Sequence, residues 1–105
     1  MKEKTRNISL MIRSYVNSID PNAQVILYGS RARGDEKMDS DWDILILTDS
    51  FVHIELERKF RNKLYEIELE TGEPISVFVY SKSDWQTKQK VTPFYYNVSL
   101  EGLQI

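Results

Sequence analysis

Two short stretches hold the residues best suited to chemistry: Gly29-Ser30-Arg31-Ala32-Arg33-Gly34 and Ser40-Asp41-Trp42-Asp43. The first is a glycine-serine turn with two arginines. A glycine there permits a tight turn and close approach of backbone to a ligand. Amides at the start of a short helix, a serine hydroxyl and guanidinium groups together suit phosphate oxygens. The second stretch is an Asp-x-Asp pair. On a strand, Asp41 and Asp43 would project from one face, roughly 6–7 Å apart at the backbone. Two like charges so placed are relieved by a divalent cation, and carboxylates with phosphate oxygens form a typical Mg²⁺ ligand set. Triphosphate on the turn and metal on the aspartates would set up phosphoryl or nucleotidyl transfer.

Each half is uninformative alone. A Gly-Ser turn is commonplace, and Asp-x-Asp is usually a surface or capping feature. Together, two specified residues, ten spacers and two more arise by chance roughly once per 10⁵ start positions at average composition.

The flanking sequence supplies elements to position both halves. Ile8, Met11, Ile12, Tyr15, Val16 and Ile19 recur at helical spacing and predict an amphipathic helix over 4–19. Pro21 requires it to end near Asp20. Residues 24–28 read as a short buried strand leading into Gly29, and 41–47 as a second strand with Asp41, Asp43, Leu45 and Leu47 on one face. Thr48, Asp49 and Ser50 offer N-caps for a helix over 51–70 whose stripe is Val52, Leu56, Phe60, Leu64 and Ile67. Glu55-Lys59 and Glu57-Arg61 predict a solvated face on it, His53 a surface position, and Thr71-Gly72 its end. Residues 75–80 form a third, β-branched and aromatic strand, and Ser81 or Ser83 can cap a short helix carrying Asp84 and Trp85. Pro93 suits the first position of a final helical turn. The expected fold is α/β (α+β), a small mixed sheet flanked by helices, as one domain over 1–105.

Composition narrows the function. Net charge is −2 with acids and bases interspersed, which argues against non-specific duplex nucleic-acid binding. There are no cysteines and one histidine, so thiolate chemistry and multi-histidine metal sites are excluded. The N-terminal sequence has no apolar signal segment and no run approaches a membrane span, so a soluble, cytoplasmic protein is expected.

The pattern Gly29-Ser30-Arg31-Ala32-Arg33-Gly34 with Ser40-Asp41-Trp42-Asp43-Ile44-Leu45 closely resembles the signature of the minimal nucleotidyltransferases, small members of the DNA polymerase β-like superfamily. The resemblance covers residues 25–47, and the order of elements elsewhere fits. It implies Mg²⁺ or Mn²⁺ and a nucleoside triphosphate donor, with ATP as the leading choice. Gly29 and Ser30 would hold the triphosphate, with Arg31 and Arg33 adding phosphate contacts, and Asp41 and Asp43 would be the catalytic, metal-binding carboxylates. It also implies a helical HEPN-domain partner in a toxin–antitoxin pair, with this chain as antitoxin, in some cases adenylylating the toxin.

This sequence departs from the family pattern at one point. The usual third carboxylate, on the next strand, falls at Ser76, which is neither a carboxylate base nor a strong Mg²⁺ ligand. Glu73 could substitute if the register shifts, and Asp84 is a weaker candidate. The expected activity is therefore transfer of a nucleoside monophosphate to a hydroxyl. The alternative is a catalytically weakened nucleotide-binding antitoxin that neutralises its partner by stoichiometric contact. Trp42 and Trp85 are expected in core or interface. Phe94, Tyr95, Tyr96, Val98 and Leu100 either complete the core or dock on a partner.

Overall fold

A computed structural model describes residues 2–105. Helix α1 (Glu3–Ile19) buries Ile8, Ile12 and Val16 and stops where Asp20 turns extended, its N–H donating to the Val16 carbonyl at 3.0 Å. Strand β1 (Gln24–Tyr28) runs into α2 (Ser30–Arg33), a single turn closed by Gly34 in the left-handed region. Strand β2 (Trp42–Thr48) follows a polar loop, α3 (Ile54–Thr71) crosses over, and β3 (Ile75–Ser81) lies beside β2. Helix α4 (Lys82–Gln86), a 3₁₀ turn (Gln89–Val91), α5 (Pro93–Glu101) and the two-residue β4 (Leu103–Gln104) complete the chain.

The sheet order is β3-β2-β1-β4, with β2 and β3 parallel and β1 antiparallel to both β2 and β4. Alternation along the strands gives each face its own cluster. Val25 and Leu27 of β1, Trp42, Ile44 and Ile46 of β2, and Val77 and Val79 of β3 pack with α1 and with Phe60, Leu64 and Ile67 of α3. Leu45 and Leu47 point the other way, against Trp85 of α4 and Val98 of α5, with Tyr28, Tyr80, Phe94 and Tyr95 around them. The result is a mixed α/β fold with helices on both faces of the sheet. No helix among the described residues is long and apolar enough to cross a membrane.

Several boundaries differ from those expected. Strand β2 begins at Trp42, whose N–H donates to Pro74, so Asp41 stands just outside the strand. Helix α3 starts at Ile54, capped by the His53 ring, which accepts from Leu56 N–H at 3.3 Å; Thr48, Asp49 and Ser50 are not its caps. Thr48 instead donates to Asp20 at 2.6 Å. On α3 the Glu57–Arg61 pair forms at 2.8 Å, whereas the nine-residue α5 exceeds the single turn expected after Pro93. Strand β4 was invisible to pattern reading, because two residues carry no period. The tail divides: Val98 is buried and Phe94 and Tyr95 pack on the sheet, while Tyr96 and Leu100 stay exposed.

Candidate functional site

The antiparallel register pairs Tyr28 with Asp43, so the turn that follows Tyr28 lies against the Asp43 side chain. The approach is close enough to require glycine. Gly29 has φ 75° and ψ −158°, and a Cβ there would collide with the Asp43 carboxylate. Strand β1 thus brings the Gly29-Ser30 turn and Asp43 together, and Asp41 sits one step before β2 begins. Above Gly29 the chain winds into α2, with the Ala32 and Arg33 amides donating to the Gly29 carbonyl at 3.1 and 3.0 Å. The Ser30 and Arg31 amides precede the first of these bonds, and such first-turn donors are the groups a helix offers to anions.

The two arginines part company. Arg33 is half exposed and reaches Asp35 at 3.2 Å and Glu101 at 2.8 Å. Arg31 turns inward, and its side chain is only 4% exposed. Its guanidinium lies 4.4 Å from the centre of the Trp42 ring, donates to the Ser40 carbonyl at 3.0 Å and faces Glu73 at 3.5 Å. The phosphate contact expected of Arg31 is therefore replaced by a scaffolding one. It ties the carbonyl preceding Asp41 to a buried Trp42–Glu73 network, which fixes the loop that carries the first aspartate.

Glu73 belongs wholly to that network. It accepts from Trp42 Nε1 at 3.2 Å and pairs with Lys4. Burial pushes its carboxyl up, but the Lys4 and Trp42 hydrogen bonds and the Arg31 charge outweigh this and hold it below the usual carboxylate range. Glu73 is thus committed to structure and does not stand in for a third carboxylate. Asp84 lies in the first turn of α4, beyond the opposite end of β3, and pairs with Lys88. Ser76 is the residue in register beside Asp43 on the parallel neighbour.

Asp43 is partly enclosed, and its carboxyl is pushed up by burial, then by the charges of Asp41 and Glu101, with Arg33 opposing. Burial and the same Asp43 charge, with Tyr80, raise the Tyr28 hydroxyl to about 12. A carboxylate strained by neighbouring negative charge is one that a cation would relieve. Among the described residues no three acidic or imidazole groups gather into a closed cage. An open pair of carboxylates is what Mg²⁺ accepts when substrate phosphates and waters complete its shell, so Asp41 and Asp43 fit that ion.

Glu101 was missed from sequence. Its Oε1 accepts from Gly29 N–H at 3.1 Å, 72 residues away in sequence, and its Oε2 from Arg33 at 2.8 Å, 68 residues away. No local spacing signals such a contact.

Residues 10–101 match the nucleotidyltransferase domain family. The fold is similar to that in a crystal structure of a toxin–antitoxin with AMP-PNP, at TM-score 0.68 and 18% identity, covering 91% of this chain and 70% of that one. It is also similar to a candidate nucleotidyltransferase from Sulfolobus solfataricus, at TM-score 0.54 and 18% identity, covering 97% and 82%. No curated protein is significantly similar in sequence. A match extending from the middle of α1 to the end of α5, on a sheet that sets a Gly-Ser turn against an Asp-x-Asp pair, places this chain in the nucleotidyltransferase domain family.

Proposed function

We propose that the chain transfers a nucleoside monophosphate, AMP from ATP, to a hydroxyl on a partner protein, and that it acts as the antitoxin of a toxin–antitoxin pair. The observation that supports the reading is the placement of Gly29 directly against Asp43, so that a phosphate held by the turn and a metal held by the carboxylate would lie within one ligand's reach. Support for the partner comes from the similar fold in a toxin–antitoxin structure with AMP-PNP. A helical HEPN-type toxin is the proposed partner, following the resemblance of the signature.

In this reading the Gly29-Ser30 turn and Arg33 bind the triphosphate, while Asp41 and Asp43 would hold Mg²⁺ or Mn²⁺ with its phosphate oxygens. The ion supplies charge neutralisation at the phosphates and helps orient the leaving group. An acceptor hydroxyl oxygen attacks the α-phosphorus, the bond to the bridging oxygen breaks, and pyrophosphate leaves with the electron pair. The hydroxyl proton must go to a base. Ser76, in register with Asp43, cannot take it as a carboxylate would, and lacking a general base commonly costs about 10²–10⁴-fold. Slow transfer, with solvent accepting the proton, is the expected regime.

The test is co-expression with the product of the adjacent gene, then incubation with radiolabelled ATP and Mg²⁺ and intact mass of both chains. Gain of one or more AMP units on the partner, lost in Asp41→Asn with Asp43→Asn, is the expected result; no label from any nucleotide on a cognate partner would sink the enzymatic reading.

Ser76 beside Asp43 favours one second reading, a nucleotide-binding antitoxin that neutralises its partner by stoichiometric contact. There the Asp41→Asn, Asp43→Asn double variant would still protect cells from the toxin.

A further inference from the structure

Glu101 stands where electrostatics disfavours an acid. It is the last residue of α5, at the negative end of the helix dipole, and its charge adds to the burden on Asp43. Its position is nevertheless tightly built. The next residue, Gly102, is packed so closely that a Cβ would lie 2.5 Å from the Val98 carbonyl oxygen and 2.9 Å from Ile26 Cγ2 on β1. The Gly102 N–H donates to Val98 at 2.7 Å, and the chain then pairs with β1 as β4. That close packing delivers the Glu101 carboxylate to the turn, where its two oxygens engage one backbone N–H and one guanidinium. A backbone amide plus a guanidinium is the donor set that a phosphate group takes.

We propose that Glu101 is an internal occupant of the triphosphate cradle, a carboxylate that mimics a phosphate group and must leave Gly29 and Arg33 before nucleotide can bind. This rests on the reading of Gly29 and Arg33 as triphosphate ligands. Glu101 thereby sets the affinity of the cradle for phosphate ligands. A monophosphate offers little more than the carboxylate it must replace. A metal-bound triphosphate offers several oxygens and brings a cation to Asp43, offsetting the loss of the Arg33–Glu101 pair. The ligand class is a nucleoside triphosphate with its divalent cation.

The experiment is calorimetric titration of the full chain with Mg²⁺·AMP-PNP and with AMP, in wild type, Glu101→Gln, Arg33→Gln and the double variant. Glutamine keeps the shape and can still accept from Gly29 while giving up the charge pair. If the closed state holds nine-tenths of the molecules, its removal tightens apparent affinity about 10-fold, since affinity scales with the competent fraction. The expected result is that gain for AMP-PNP in Glu101→Gln, an unchanged preference for AMP-PNP over AMP because both phosphates must displace the same carboxylate, and loss of the gain when Arg33 is also replaced. Unchanged or weaker AMP-PNP binding in Glu101→Gln overturns the proposal while leaving the nucleotide site standing. A gain that persists without Arg33 also overturns it, because long-range charge would then suffice. Absence of AMP-PNP binding in every variant overturns both the proposal and the reading beneath it. Should Glu101→Gln fail to fold, Glu101→Asp, one methylene too short to reach both partners, gives the same decision.

Discussion

Asp43 is held against three things that disfavour its charge: an enclosing sheet face, Asp41 and Glu101. Its folded-state affinity for protons therefore exceeds that of the unfolded chain. It follows that the native state gains stability from Asp43 at low pH, and that this gain is lost as pH rises from the ordinary carboxylate range through the raised value. Asp43→Asn should accordingly melt higher than wild type near neutral pH, and the difference should vanish in acid. A thermal melt series against pH checks this, and a wild type more stable than the variant at pH 7 would contradict it. Glu73 has the opposite sign. Its depressed carboxyl stabilises the fold above the unfolded value and loses that contribution as pH falls through the folded one. Glu73→Gln should cost about 2–3 kcal/mol in denaturant unfolding, since it leaves the buried Arg31 charge under-compensated. At Ser76 the direction is a gain. Ser76→Asp places a carboxylate beside Asp43, and partner labelling should rise by about 10²–10⁴-fold with Mg²⁺ present, the scale of a restored general base. At this scale the sequence was legible wherever residue type alone mattered: Gly29 beside Asp43 follows from the signature and the two strands. Arg31 was misread because nothing in Gly-Ser-Arg-Ala-Arg says which arginine turns inward; the Trp42 ring and Glu73, distant in sequence, decide that.

Elements with a long period were readable from the apolar pattern, and elements defined by their ends were not. The α1 and α3 stripes and the three main strands follow from spacing, because each must present one apolar face to the sheet. The start of α3 did not follow, since three capping residue types precede it and the ring of His53 takes the role instead. His53→Ala should cost about 1 kcal/mol of stability, a typical loss of a cap, measurable by urea unfolding. The face covered by α4 and α5 is aromatic. Trp85 packs against Tyr80 and Tyr95 in tilted geometry and edge-on to Phe94, with ring centroids 4.9–5.7 Å apart. Trp85→Ala should therefore destabilise by about 3–5 kcal/mol. Because α5 carries Glu101, it should disturb nucleotide binding as well.

For the molecule as a whole, ligand linkage tests the site without any partner. A ligand that binds only the folded chain adds about 2.7 kcal/mol at a hundred times its dissociation constant. Mg²⁺·AMP-PNP should raise the melting temperature of wild type, and Asp41→Asn with Asp43→Asn should abolish the rise. The mixed α/β architecture was legible from element order, but the sheet order was not. One edge strand, β4, lies more than seventy residues beyond its partner β1, and two residues cannot advertise a pairing.

That late strand bears on how the chain assembles. Strand β1 meets β2 across a short loop, whereas β4 reaches β1 from more than seventy residues downstream. Loop-closure entropy favours the first pairing early and the second late. Synthesis on a ribosome imposes the same sequence of events, because Glu101 and β4 emerge after every other strand. A nascent chain that has not yet reached Glu101 would thus display the Gly29 turn without the carboxylate that contacts it in the folded chain.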